Sequence, residues 1–240
     1  MPINQHETQI PLHLWTVEDY HRMAEVGILS PDQPVELIAG QIIRKMSPQG
    51  TPHATAITLT RLLLEDNLRQ QGLVRTQLPV TLSDRSEPEP DVAVVMPDVL
   101  RYFDHHPHPS EIYLIIEVAD RTLNTDCGIK AKDYANSDIQ EYWVLNLKQR
   151  QLHVFREPTP QGYQREIILV ENDRISPLQF PNLSIDVGVW FPNPCFQTPV
   201  SKPLFPNPCF QTPVSKTLFP NPWWFPNPYL AVRMSRIGLN

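Results

Sequence analysis

The chain has 240 residues, 41% hydrophobic and 19% charged, ordinary for a soluble globular protein with one well-filled core and an appendage. It has no apolar run long enough to cross a membrane and no signal-peptide core in its opening MPINQHETQIPLHLW; its three unclustered cysteines (Cys127, Cys195, Cys209) argue against a disulfide framework or a zinc site and point to a reducing cytoplasm. All 26 acidic residues precede Phe191 and four basic residues follow it, so residues 1–190 carry a net charge of −10, against the basic surface expected of a protein that grips DNA nonspecifically.

Thr16-x-x-Asp19 has capping-box spacing and predicts a short helix from about Val17 to Val26, ended by Gly27, with Tyr20, Met23 and Ala24 on its core face. VELIAGQIIRKM reads as a hairpin turning at Ala39-Gly40, with Glu36 on its first arm. On the residues alone, Glu36 is a solvated strand carboxylate. After the turn SPQGTP, the longest helix runs from His53 to about Gln71. Ala54, Ile57, Leu64 and Leu68 recur at helical spacing, Leu63 widens the face, and Gly72 is placed as a C-cap. His53, at the helix entrance, is either a local hydrogen-bonding residue or a group within reach of a phosphate or metal.

LVRTQLPVTL then reads as a strand, SDRSEPEP as a proline-rich turn and DVAVVM as the next strand. PDVLRYFDHHPHPS is a long connection whose His105, His106 and His108 read as part of an exposed loop rather than a metal site. Ile112 to Ala119 is almost wholly apolar, β-branched or aromatic, as suits a strand buried on both faces. Glu117 lies inside it and needs a partner, because a lone buried carboxylate is costly or stays protonated. By alternation Tyr113, Ile115, Glu117 and Ala119 share one side, as do Asp91, Ala93 and Val95 on their own strand. If the strands are neighbours, Asp91 and Glu117 meet near one sheet edge, where two carboxylates need a cation between them. Mg²⁺ or Mn²⁺, which favour oxygen ligands, fit such a pair.

Asp126, Lys130 and Tyr134 follow at i, i+4 and i+8 on one helix face. They are either a surface ion pair with a packed tyrosine, or they carry Lys130 over the sheet edge towards Glu117. EYWVLNL, QLHVFRE and GYQREIILV complete a three-layer α/β pattern. From Phe191 the character changes: FPNPCFQTPVSKPL is repeated as FPNPCFQTPVSKTL and then shortened. Proline at this density excludes helix interiors and central strands, so residues 191–240 read as a disordered Pro/Phe-rich extension rather than a docking segment.

A Pro-Asp on one strand, a Glu on the next and then a lysine resembles the PD-(D/E)-x-K nuclease superfamily. The longer string, with VELIAGQIIRKMSPQG, the helix opened by His53, EPDVAVV, IIEVADRT and D-x-x-x-K-x-x-x-Y before IQEYWVL, looks like its Uma branch of restriction-endonuclease-like proteins over residues 12–190. One departure is plain: two residues after Glu117 stands Ala119, and the lysine falls on the following helix as Lys130. The resemblance implies a restriction endonuclease-like mixed sheet flanked by helices. It also implies Asp91, Glu117 and Lys130 as catalytic residues, Asp91 and Glu117 as ligands of Mg²⁺ or Mn²⁺, and Glu36 and His53 in support. DNA is then the substrate of a cytoplasmic endonuclease, for which a homodimer is open. The lysine is expected to be replaceable without harm to the fold. The alternative is an inactive module of the same fold that binds nucleic acid or protein.

Overall fold

The computed structural model describes residues 12–30, 32–45 and 50–191. Its centre is a six-stranded mixed sheet in the order β3-β4-β5-β6-β7-β8. The strands are β3 (Leu73–Thr76), β4 (Val92–Val95), β5 (Ile112–Ala119), β6 (Glu141–Asn146), β7 (Gln151–Thr159) and β8 (Gly162–Val170). Only β5 and β6 run parallel. A parallel neighbour requires a crossover, and this one is helical: Leu123–Thr125 leads through a π-helical turn, Asp126–Lys130, into Ala131–Asn136. A separate hairpin, β1 (Val35–Ile38) and β2 (Gln41–Arg44), precedes the sheet. Two short strands, β9 (Arg174–Ile175) and β10 (Ile185–Asp186), follow it.

Each face of the sheet carries its own core. Helix α2 (Thr51–Leu68) lays Ala56, Ile57, Leu64 and Leu68 on Val92, Val94, Leu114, Ile116 and Val118. Trp190 meets Trp143 edge-on at 6.0 Å on the same side, and Phe191 is also buried there. On the opposite face Ala131, Tyr134 and Ile139 pack on Ala93, Val95, Ile115, Tyr142 and Val144. Strands β4 and β6 are buried along their whole length, which suits the apolar runs VAVV of β4 and YWVL of β6.

The hairpin turn falls at Ala39-Gly40 as expected, with φ of 49° and 76°. Gly40 is required twice over, because a Cβ there would also stand 2.7 Å from the Cβ of Leu14. Thr16 and Asp19 form the reciprocal capping box of helix α1 (Val17–Glu25).

Several details differ from the sequence reading. Helix α1 buries no residue in the core; Tyr20 and Ala24 instead line a cleft, and the Tyr20 hydroxyl donates to the Val35 carbonyl at 3.1 Å. Helix α2 starts two residues before His53 and ends at Leu68, and Ala56 rather than Ala54 faces the sheet. Arg69 caps it with φ 49°. Gly72 has a different job: a Cβ there would press on Val94 Cγ1 at 3.0 Å and on Phe180 Cζ at 3.3 Å, so its lack of a side chain lets β3 close on the core. Finally, Tyr113 does not share the Glu117 side. Val94 pairs with Leu114 but Val95 pairs with Ile112, so Tyr113 is the extra residue of a β-bulge. The bulge resets the alternation: Tyr113 turns to the α2 side and meets Phe180 edge-on at 5.7 Å, while Ile112, Ile115 and Ala119 face the crossover helix. The reading of residues 192–240 lies outside the described residues.

The docking of α2 is tested by Leu64→Ala. It empties a fully buried site and is expected to cost about 2–5 kcal/mol. Urea denaturation should show a lower midpoint with an unchanged slope.

Candidate active site

The end of β5, the start of β4, the β1–β2 hairpin and the crossover helix meet around a cleft of about 1350 Å³. Its lining includes Glu36, His53, Glu89, Asp91, Glu117, Asp120, Asp126 and Lys130. All five residues singled out from the sequence are therefore brought together: Asp91, Glu117, Lys130, Glu36 and His53. They come from five separate elements.

Lys130 is the hub. Its Nζ stands 2.9 Å from Glu117 Oε1 and 3.0 Å from Glu36 Oε1. Lys130, Glu117 and Glu36 are all at most 6% exposed. Glu36 is thus no solvated strand residue: Oε1 is held by Lys130, and Oε2 accepts from the Glu89 amide at 3.2 Å. Nor is the Asp126–Lys130 face a surface one. The chain turns inward at the π-helical turn, whose wide ring is closed by the Ala131 amide donating to the Asp126 carbonyl. Asp126 is buried and accepts from the Thr122 hydroxyl at 2.5 Å. Lys132 remains exposed on the helix surface.

The hydrogen bonds to the two central carboxylates are lopsided in the same way. On Glu117, Oε1 accepts from Lys130 and, at 3.0 Å, from the Tyr134 hydroxyl, whereas Oε2 has only a long contact of 3.4 Å from the Asp91 amide. On Asp91, Oδ2 accepts from the Val118 amide at 2.9 Å and lies 3.2 Å from His53 Nε2, whereas Oδ1 has only Gln77 Nε2 at 3.4 Å. Each carboxylate therefore has one oxygen contacted by two protein donors and one that is nearly free. Tyr134 and Gln77 were not assigned these contacts from the sequence. Tyr134 sits at i+4 from Lys130, a spacing that fits a packing residue equally well, and Gln77 lies beyond the end of its strand.

Electrostatics separate the two acids. Burial pushes Glu117 up to about 8, with Lys130 opposing and Asp91, Asp126 and Glu36 adding to the rise. Burial also pushes Asp126 up to about 6. Asp91 is the reverse case: burial would raise it, but the hydrogen bond and charge of His53, the Val118 amide and Lys130 hold it below the usual carboxylate range. For Lys130, burial favours the neutral amine, yet Glu117, Glu36 and Asp126 outweigh it and keep the ammonium protonated. Several acids thus crowd round one fixed cation, and their surroundings push them in opposite directions, Glu117 and Asp126 up and Asp91 down.

Among the described residues, no three His, Cys, Asp or Glu side chains form a ready-made metal ligand set. The donors do fit a magnesium-like ion, which commonly takes only one or two carboxylates and keeps its waters. Both nearly free atoms are carboxylate oxygens of residues that line the cleft. In the long connection after β4, the rings of His105 and His108 stack at 5.3 Å, and His105 lies beside Asp104 and Glu111 in a local network. No metal set forms there among the described residues.

A family model described as "Uma2: Putative restriction endonuclease" matches residues 17–188. The chain belongs to the Uma2 family. The Uma2 match spans the two-sided sheet and every residue of the cleft cluster named above. The fold is shared with a solved protein from Anabaena variabilis ATCC 29413, described as "a putative nuclease belonging to DUF820". The two are 18% identical with a TM-score of 0.56, over 75% of this chain and 98% of the other. No curated protein matches the sequence. Among the described residues, no helix of this Uma2 chain is long and apolar enough to cross a membrane.

Two stability measurements probe the cluster. Glu117 is raised above its unfolded value, so its contribution is fully present below about pH 4.5 and is lost as pH rises towards about 8. In EDTA, unfolding free energy is expected to fall over this window, and Glu117→Gln should flatten that part of the profile. Lys130→Met leaves Glu36 and Glu117 buried without their cation and is expected to cost about 3–5 kcal/mol at pH 8 in chemical denaturation. The sequence reading expected replacement of Lys130 to leave the fold intact; its burial between two carboxylates makes a loss of stability the expected outcome instead.

Proposed function

We propose that this Uma2 protein is a divalent-cation-dependent endonuclease that hydrolyses DNA phosphodiester bonds. The observation that carries the reading is the lopsided bonding of Asp91 and Glu117: one oxygen of each is saturated by protein donors and the other is left for a cation. Asp91 Oδ1 and Glu117 Oε2 would hold Mg²⁺ or Mn²⁺. A cation bound there supplies Lewis-acid polarisation of a phosphate oxygen and a bound water of lowered pKa. The chain's own groups do the rest. Lys130 fixes the rotamer of Glu117 and places positive charge where phosphate oxygens gain negative charge. Glu36 and Tyr134 hold Lys130 and Glu117 in register. Arg44, Lys45 and Arg121 on the cleft lining offer contacts to flanking phosphates. Catalysis within the cytoplasm and action as a homodimer belong to the same reading.

A second reading is an inactive module of this fold. The absence of a three-residue ligand set among the described residues favours it, as does the acidic balance of residues 1–190. The two part in a cleavage assay on supercoiled, linear duplex and single-stranded DNA with Mg²⁺, Mn²⁺ or EDTA. The wild type is expected to cleave only with the cations. Asp91→Asn and Glu117→Gln should abolish both cleavage and Mn²⁺ binding. Lys130→Gln, if folded by circular dichroism, should bind Mn²⁺ but cleave about 10²–10³-fold more slowly. Lys132→Ala should match the wild type. A wild type that cleaves none of these DNAs while still binding them would favour the inactive module.

A further inference from the structure

His53 lies in line with the buried stripe of α2. Counting back from Leu64, the buried residues are Thr60, Ile57 and Ala56, and the half-buried His53 follows, at spacings of four, three, one and three. The apolar members rest on the sheet. His53, in the first turn of the helix, continues the stripe to the mouth of the cleft, where its ring meets a carboxylate instead of a hydrocarbon. An 18-residue helix docked along its length gives the ring a rigid base.

The contact fixes the role of one ring nitrogen. Nε2 lies 3.2 Å from Asp91 Oδ2, and an ionised carboxylate only accepts, so Nε2 carries a proton whether the ring is neutral or charged. Nδ1 is buried and has no hydrogen-bond partner. A ring serving only packing or solubility at a helix start would have one nitrogen in water. Here one nitrogen is shut away and the other is spent on a single carboxylate oxygen. That oxygen also accepts from the Val118 amide at 2.9 Å. Two donors from different elements, the α2 helix and the β5 strand, therefore clamp Oδ2. The carboxylate plane is set, and Oδ1 is the oxygen turned out.

We propose that His53 is a positioning residue for the cation, acting through Asp91: its Nε2–H, with the Val118 amide, saturates Oδ2 so that Oδ1 is presented as the ligand atom. This rests on the cation-dependent reading above. Groups that orient a metal-bound carboxylate change metal affinity by about 10–100-fold when removed. The role predicts a deficit that appears in binding and is relieved by excess metal, rather than a loss of fold.

The test measures Mn²⁺ affinity of the full chain by calorimetry and by electron paramagnetic resonance, for wild type, His53→Ala and His53→Gln. Glutamine can place its Nε2 amide where the histidine Nε2 stands. His53→Ala is expected to bind Mn²⁺ about 10–100-fold more weakly, with a thermal midpoint in EDTA close to wild type. His53→Gln should recover most of the affinity. Cleavage by His53→Ala should approach the wild-type rate at saturating Mn²⁺. Wild-type affinity in His53→Ala, or a His53→Gln no better than alanine, overturns the role of His53 and leaves the cation reading standing. A wild type that binds no Mn²⁺ overturns both.

Discussion

The molecule depends on one buried cation of its own. The Lys130 ammonium sits between Glu36 from the hairpin and Glu117 from the middle of the sheet. Without it Glu117 in the apolar strand β5 would lack its charged partner, and the hairpin would lose one of its ties to the domain. A buried pair of this kind adds little net stability over a well-packed apolar substitute. What it does is choose an arrangement. Three elements far apart in sequence are held at one point, and the acids so gathered differ in affinity for protons.

The fold places this point where it is useful. Strands β4 and β5 are antiparallel, so the start of one lies beside the end of the other, and Asp91, one step before the Val92–Ile116 pair, reaches the Val118 amide with its side chain. The single parallel pair, β5–β6, forces the chain to cross over by a helix immediately after Glu117. That crossover returns Lys130 and Tyr134 to the strand the chain has just left. The cleft is lined on its other side by the hairpin and α1, which explains why α1 has an apolar face and yet buries none of it in the core.

Much of this was legible in the sequence because it rests on short-range chemistry. The capping box at Thr16, the Ala39-Gly40 turn and the apolar run around Glu117 each have one reasonable reading. The cluster Asp91, Glu117 and Lys130 was legible because a buried acid demands a partner and the resemblance supplied the candidates. What escaped depends on three-dimensional register. No feature of IYLIIEVA marks Tyr113 as a bulge, and a bulge inverts every inference from alternation upstream of it. Gly72 looks like a helix terminator; only the approach of Val94 and Phe180 shows why it lacks a side chain. Glu36 and Asp126 are ordinary polar positions by local pattern, and their burial follows from partners 94 residues away or on the far side of a turn.

The π-helical turn at Asp126–Lys130 carries a consequence for how this chain tolerates change in length. Such a turn holds one more residue than an α-helical one over the same rise. Losing Cys127 or Gly128 would let the helix rewind to the ordinary pitch, and Thr122 and Asp126 would swing by roughly 100° relative to Lys130. Residues that do no chemistry are thereby fixed in number, though not in kind. Surface loops elsewhere are free to gain or lose residues, but this segment works as a spacer of set count. The lysine is accordingly defined by a place in space that a one-residue deletion would move, which is how it can stand on a helix thirteen residues after the acid it serves.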